Sequence, residues 1–358
     1  MAVTNDGGSS TDASRPRPSR MQAHGTSRRD PYIDNAKIAL IALVVVGHLL
    51  ETIKSGLADG VYLWIYSFHM PAFILISGYL SRSFTGTVRQ CKALVTVLIA
   101  PYVIFQVLLE LEGWLWRGAD FNLNLFTPTW TLWYIMALIV WRLITPLLRS
   151  IPNPFLISAA VSVASVLGGG VPDQTTARIL SFLPFFTLGF IATPSNVERF
   201  KAATAPLWVR CCLAFYLLVA LFAIHAMRES LSRQWLYMYG RYDARGLNDI
   251  QNVAIRALVL IVAISLVLSV LAIIPRSKRF FSALGERTLH VYLLHSLILY
   301  PMMPRIGAWP WWNIWLIVGL IVGGVLLSLL LGTRAIHNST KWLVDPFSTF
   351  RARRRPVS

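Results

Sequence analysis

From about residue 37 to residue 332 the chain alternates between long apolar runs and short polar breaks. The runs lie near 37–53, 61–80, 91–111, 130–148, 154–169, 178–194, 207–226, 253–274, 289–304 and 312–332. Several are about 20 residues long, the length at which a helix crosses a ~30 Å hydrocarbon core. The pattern therefore predicts an all-α fold, a polytopic membrane helical bundle of about ten transmembrane helices. The fifth, sixth and ninth runs are short and carry Gly or Pro, so they are the weakest spans.

The ends of the chain read differently. Residues 1 to about 29 are mostly Ser, Gly, Pro, Asp and Arg, a composition that cannot bury a core and is expected to be disordered. They contain no apolar h-region of the kind a signal peptide needs. Residues beyond about 335 are polar and basic and close with RARRRPVS. The expected organisation is a basic tail over 1–30, a transmembrane domain over 31–335 and a second basic tail over 336–358.

Composition strengthens this picture. Hydrophobic residues make up 55% of the 358 and charged residues only 14%, whereas a soluble chain carries roughly a quarter charged. A net charge of +17 fits either a nucleic-acid partner or a membrane orientation. With ten spans and the N-terminus inside, most of the 33 Lys and Arg fall on the inner segments and the outer segments come out near neutral. That is the positive-inside pattern, with both termini cytoplasmic, and it leaves no need for nucleic acid. The three Cys include the neighbours Cys211 and Cys212 and form no CxxC spacing, so neither a disulfide framework nor a metal site is expected. Oligomeric state is not legible.

Candidate chemistry begins in the first run. His48 stands amid LVVVGHLLETI, eleven residues after Lys37. At about 100° per residue the two return to within roughly 20° of one face, ~16 Å apart along the axis. Asp34 precedes Lys37 by one turn and is placed to pair with it; Glu51 follows His48 by one turn and is placed to orient the imidazole. In the second run His69 lies eight residues in from Val61, ~12 Å deep, at a level close to that of His48. Ionisable groups inside a membrane are costly and face a bundle interior or a watery cavity. A single buried His is also commonly a neutral helix tie, a reading that weighs more for His69 than for His48. Pro71 is expected to loosen the second span and free a carbonyl near His69. His290 and His295 follow in the ninth run, His295 the deeper. The outer loop near 228–252 mixes Trp235, Tyr239 and Arg241 with acids and amides, a surface suited to a sugar or to an ordinary aromatic belt. There is no GxSxG, HExxH, Walker loop or GxGxxG, so nothing suggests nucleotide hydrolysis or a serine hydrolase.

Taken in order, YIDNAKIALIALVVVGH, SFHMPAFILISGYL, the stretch Trp130–Arg142 and GERTLHVYLLH resemble the integral-membrane acyltransferase-three family, most of all its fucose O-acetylase-like branch. The likeness covers residues 32 to about 335. Lys37 and His48 resemble the family's Arg/Lys-x10-His motif, and Ser77-Gly78-Tyr79 its Ser-Gly-aromatic motif. The resemblance implies transfer of an acyl group, usually acetyl, from cytoplasmic acyl-CoA to a hydroxyl of an extracytoplasmic glycan or lipid-linked sugar. It implies an essential first-span His, and a protein of a bacterial plasma membrane among lipids, without a metal. On that reading His48, Glu51 and His69 are catalytic. Lys37, Asp34, Arg82, Arg89, Tyr79 and Ser77 face the acyl-CoA. Trp130, Trp133, Trp235, Tyr239, Arg241 and His295 face the acceptor. His48 acts either as general base or as acyl carrier. A transporter or flippase with a proton relay is the alternative, although no inverted repeat is visible; a scaffold with lipid-binding basic tails is a third reading.

Overall fold

A computed structural model describes residues 1–4, 30–240, 246–277 and 280–347, with the backbone alone for Phe280 and Phe281. The chain divides into a unit of Met1–Asp30 and a unit of Pro31–Ser358. The expected disorder of the N-terminal tail, Arg241 and the end of the basic C-terminal tail lie outside the described residues. The rest of this section concerns the second unit. Among the described residues it is built from helices, with no strand.

Each of the ten apolar runs holds a helix. Among the described residues six spans are long and apolar enough to cross a membrane, or seven if one sharply bent helix pair counts as a span. They are α1 (Pro31–Leu50), the broken pair α2 (Gly56–Tyr66) and α3 (His69–Ser81), the joined α4 (Val88–Leu94) and α5 (Ala100–Arg117), α11 (Leu207–Ala226), α13 (Asp249–Ile273) and α16 (Ile314–Leu331). The other four runs hold α6 (Trp133–Leu143), followed by α7 (Thr145–Ser150), then α8 (Pro154–Ala164), α9 (Gln174–Ile191), which is as long as α16, and α14 (Thr288–Leu299). Where these helices stop or bend, the causes are local. Helix α8 opens on Pro154, and Gly168, Gly169 and Gly170 beyond it all have positive φ, a conformation no helix continues through. Helix α14 stops just before Pro301, whose ring cannot continue it. Helix α9 bends by 93° into α10 (Pro194–Ala203), where Thr193 and Asn196 form a capping box around Pro194. The small helices α12 (Arg233–Tyr237), α15 (Met303–Ala308) and α17 (Arg334–Val344) complete the order.

Burial separates an inner layer from an outer one. In α1, 78% of the apolar window is buried, and in α2–α3 83%, against 6% in α11 and 22% in α16. The outer helices expose Leu207, Trp208, Phe215, Phe222, Trp315 and Leu326. Such apolar surface is tolerated where the surroundings are hydrocarbon.

The break in the second span lies at Ser67 and Phe68, one turn before Pro71. Pro71 has no N–H for the Ser67 carbonyl, so the ladder cannot run on and α3 starts afresh at His69. Helix α3 then crosses α9 at backbone contact. A Cβ on Gly78 would lie 2.0 Å from the Phe186 carbonyl oxygen, and one on Gly189 1.8 Å from that of Leu75. The glycine of Ser77-Gly78-Tyr79 is therefore required by packing.

Candidate active site

The centre of the bundle is the last turn of α1. His48 Nδ1 lies 3.1 Å from Glu51 Oε2, with side-chain exposures of 13% and 25%. Because α1 ends at Leu50, Glu51 leaves the helix and folds its carboxylate back over the last turn. A carboxylate can only accept, so Nδ1 carries the hydrogen and Nε2 is left with the lone pair. Among the described residues no group hydrogen-bonds Nε2. The Tyr66 hydroxyl lies 3.4 Å from Nδ1. Arg233 staples the segment from outside: it donates to the Glu51 carbonyl at 2.9 Å and pairs with Asp59 at 2.5 Å.

Aromatic rings close the sides. Trp130 lies 4.6 Å from His48 by ring centroids and His295 stacks on it at 5.6 Å. Trp130 has φ 48°, a left-handed conformation that costs a side chain of this size about 1–3 kcal/mol. Its neighbours hold it there. Gln106, fully buried, donates to the Asn124 and Thr127 carbonyls and accepts from the Thr129 N–H at 2.9 Å. Thr129 also bonds Glu110. A buried amide whose two ends are both satisfied in this way rigidifies the loop it grips.

His69 and His295 share one device. Each donates Nδ1–H to the carbonyl four residues earlier, His69 to Ile65 at 2.8 Å and His295 to Val291 at 3.1 Å. In the neutral ring this bond selects the tautomer with the hydrogen on Nδ1 and Nε2 as acceptor. His295 Nε2 is buried without a partner.

Two cavities in this region share a lining residue. The first, of about 80 Å³, is lined by His48, Glu51, His69, Trp130, Trp133 and Arg178, among others. The second, of about 200 Å³, is lined by Lys37, Ser77, Tyr134 and Arg142, among others. Tyr292 lines both, and its hydroxyl donates to the Thr131 carbonyl. One side chain is thus part of the wall of each. In the second cavity Lys37 pairs with Asp34 at 2.6 Å, Ser77 bonds Tyr134 at 2.6 Å, and Arg142 donates to Ser81 at 3.1 Å.

The sequence-selected residues thus divide. His48, Glu51, His69, Trp130 and Trp133 line one cavity, and His295 stacks behind it. Lys37 and Ser77 line the other, with Asp34 paired at its mouth. Tyr79 lines a separate apolar cleft between α1, α3, α9, α10 and α13. Arg82 folds onto the Tyr79 ring at 3.9 Å, and Arg89 is exposed. Trp235 lines neither cavity, whereas its neighbours Leu236 and Tyr237 line the first. Tyr239 stacks on Tyr237 at 5.6 Å. His290 faces His337 of α17 at 4.1 Å, away from this centre.

Arg178, Tyr292, Tyr66 and Arg142 were not anticipated as site residues. A signal existed for two of them: Arg178 opens the sixth apolar run and Arg142 ends the apolar part of α6, so each is a cation set against oil.

Comparison with known proteins bears on what this arrangement does. The family model described as an acyltransferase domain matches residues 30–333. The nodulation protein NolL of Sinorhizobium fredii is 28% identical over 219 residues, covering 53% of this chain and 58% of its own length. The nodulation protein NolL of Mesorhizobium japonicum is 30% identical over 181 residues, covering 47% of this chain and 48% of its own length. The chain spans about half the length of the curated relatives it matches. No solved structure matches it significantly.

Proposed function

The chain belongs to the acyltransferase-three family, and from that premise we propose that it is a membrane O-acyltransferase. It moves an acyl group, most simply acetyl, from cytoplasmic acyl-CoA to a hydroxyl of an extracytoplasmic glycan or lipid-linked sugar. The observation that carries the reading is the His48–Glu51 pair, with a free Nε2 in a cavity that shares the wall residue Tyr292 with a second, cation-lined cavity.

The chemistry follows from the residues. Lys37 and Arg142 line the second cavity, and two cations there suit the phosphates of CoA, one as a point charge and one as a fork. The donor supplies an acyl carbonyl already activated as a thioester. In the first cavity His48 Nε2 takes the proton from the acceptor hydroxyl as its oxygen attacks that carbonyl. Glu51 holds the ring and stabilises the imidazolium that forms. The imidazolium then returns its proton to the departing thiolate, and His48 is neutral again. The acyl-carrier route uses the same lone pair, with Nε2 attacking first and the hydroxyl second. About 80 Å³ is room for roughly three waters at ~30 Å³ each, which suits a short acyl group.

The placement proposed is a bacterial plasma membrane, crossed ten times, with both termini cytoplasmic. Residues 1–30 and 336–358 are its basic tails and 31–335 its catalytic domain. Lys37 then lies on the cytoplasmic side and the α12 loop on the outer side.

His48→Ala should abolish transfer of labelled acetyl from acetyl-CoA in membranes that hold equal amounts of protein. Undiminished transfer refutes the assignment. Acetyl-CoA should also raise the melting temperature of the purified wild type, and Lys37→Ala with Arg142→Ala should remove that shift.

A further inference from the structure

Arg178 stands in the first turns of α9 and lines the His48 cavity. Its guanidinium lies over three ring faces: Tyr239 at 4.9 Å, Trp133 at 5.1 Å and Tyr237 at 5.9 Å. Among the described residues no carboxylate pairs with it and no carbonyl accepts from it. Glu51, which lines the same cavity, is paired with His48. The neighbouring cations are treated differently. Arg233 has Asp59 and the Glu51 carbonyl, and Arg256 of α13 donates to Ser181, one turn along α9 from Arg178, and to the Gly240 carbonyl at 3.3 Å.

The rings and the cation must be considered together. Tyr239 belongs to the loop read as suited to a sugar and Trp133 was expected to face the acceptor, yet both rings carry a guanidinium. The cation over these ring faces is held in place, and the rings offset part of its desolvation. Rings supply no carboxylate or carbonyl oxygen for its N–H donors. A planar fork of five donors, held by rings beside a cavity, is matched to a two-oxygen anion.

We propose that Arg178 is a specificity-determining residue that binds an oxyanion, phosphate or carboxylate, carried by the acyl acceptor beside its reacting hydroxyl. The proposal rests on the acyltransferase reading for the word acceptor and on the Arg178 geometry for the anion. The anion belongs to the acceptor and not to the acyl group. Arg178 is grouped with the outer-loop rings Tyr237 and Tyr239, whereas the two donor-side cations, Lys37 and Arg142, line the other cavity beyond Tyr292.

The test uses the full chain in lipid nanodiscs and two readouts. In the first, glucose 1-phosphate and glucose are compared as ligands by melting temperature. Glucose 1-phosphate should stabilise the wild type and glucose should not. The difference should vanish in Arg178→Met and return in part in Arg178→Lys, which keeps the charge without the fork. No shift in the wild type, or a shift that survives in Arg178→Met, overturns the proposal. In the second, acetyl transfer to a phosphorylated and a neutral acceptor is compared. Arg178→Met should lower kcat/KM for the phosphorylated acceptor about 30-fold more than for the neutral one, the size of one lost charge-assisted contact. Equal losses on both acceptors would make Arg178 a structural cation and overturn it. So would a discrimination that follows succinyl-CoA against acetyl-CoA instead of the acceptor. If the wild type acylates nothing, the proposed activity fails, and the binding readout still decides the anion site.

Discussion

The sharpest consequence of the site is what Glu51→Gln should do. The substitution keeps the side-chain length and an acceptor oxygen but removes the charge. In the wild type the carboxylate accepts from His48 Nδ1 at 3.1 Å, with the two side chains 13% and 25% exposed. Two unit charges at about 4 Å in a medium of effective dielectric ~20 attract by ~4 kcal/mol gross. That attraction exists in full only when His48 is protonated, in the transition state and not before it. The net worth of a charge-assisted hydrogen bond is smaller, about 1.5–3 kcal/mol, because water would otherwise solvate the same groups. A ten-fold rate change corresponds to about 1.4 kcal/mol. Glu51→Gln should therefore lower kcat by roughly 10- to 150-fold. KM for acyl-CoA should change little, since the donor phosphates are held at Lys37 and Arg142. The assay is initial-rate transfer of labelled acetyl in nanodiscs, with melting temperature confirming that the variant is folded. A kcat within two-fold of wild type would refute the claim that Glu51 stabilises a charged His48. A change confined to KM would move Glu51 from the proton to the donor.

Three further outcomes can be checked without knowing the acceptor. Gly78→Ala should destabilise the fold by about 3 kcal/mol or more, because its Cβ would lie 2.0 Å from the Phe186 carbonyl oxygen; an unchanged unfolding midpoint would refute the backbone crossing of α3 and α9. Gln106→Ala should free the Trp130 loop at a cost of about 1–3 kcal/mol for the buried groups left unpaired, seen as faster proteolysis or hydrogen exchange across residues 118–129. In a Cys211→Ser, Cys212→Ser background, a membrane-impermeant maleimide should label Cys91 in inverted vesicles and not in intact cells, and the reverse would overturn the proposed orientation.

What could be read in the sequence and what could not divides along a physical line. Helix periodicity is local, so placing Lys37 and His48 on one face of α1 required only about 100° per residue. Glu51 was close by in sequence, and the His48–Glu51 contact forms although the helix ends at Leu50 and Glu51 lies in the turn after it. The same arithmetic carried His69 to the level of His48, since both lie on consecutive spans joined by a short turn, and they line one cavity. Arg178, Tyr292 and Arg142 needed knowledge of which helices pack together, and an apolar stripe gives none when every helix is apolar on most faces. The aromatic residues are the instructive case. Trp133 and Tyr239 are far apart in sequence, the one expected at the acceptor and the other in a loop suited to a sugar. Only their meeting around one guanidinium changes what they offer, from a π face to a cation's donor edge. Within a membrane bundle, then, the legible part of a site is the part confined to one helix and its next turn. The rest is set by where a charge finds, or fails to find, its counter-charge on another helix.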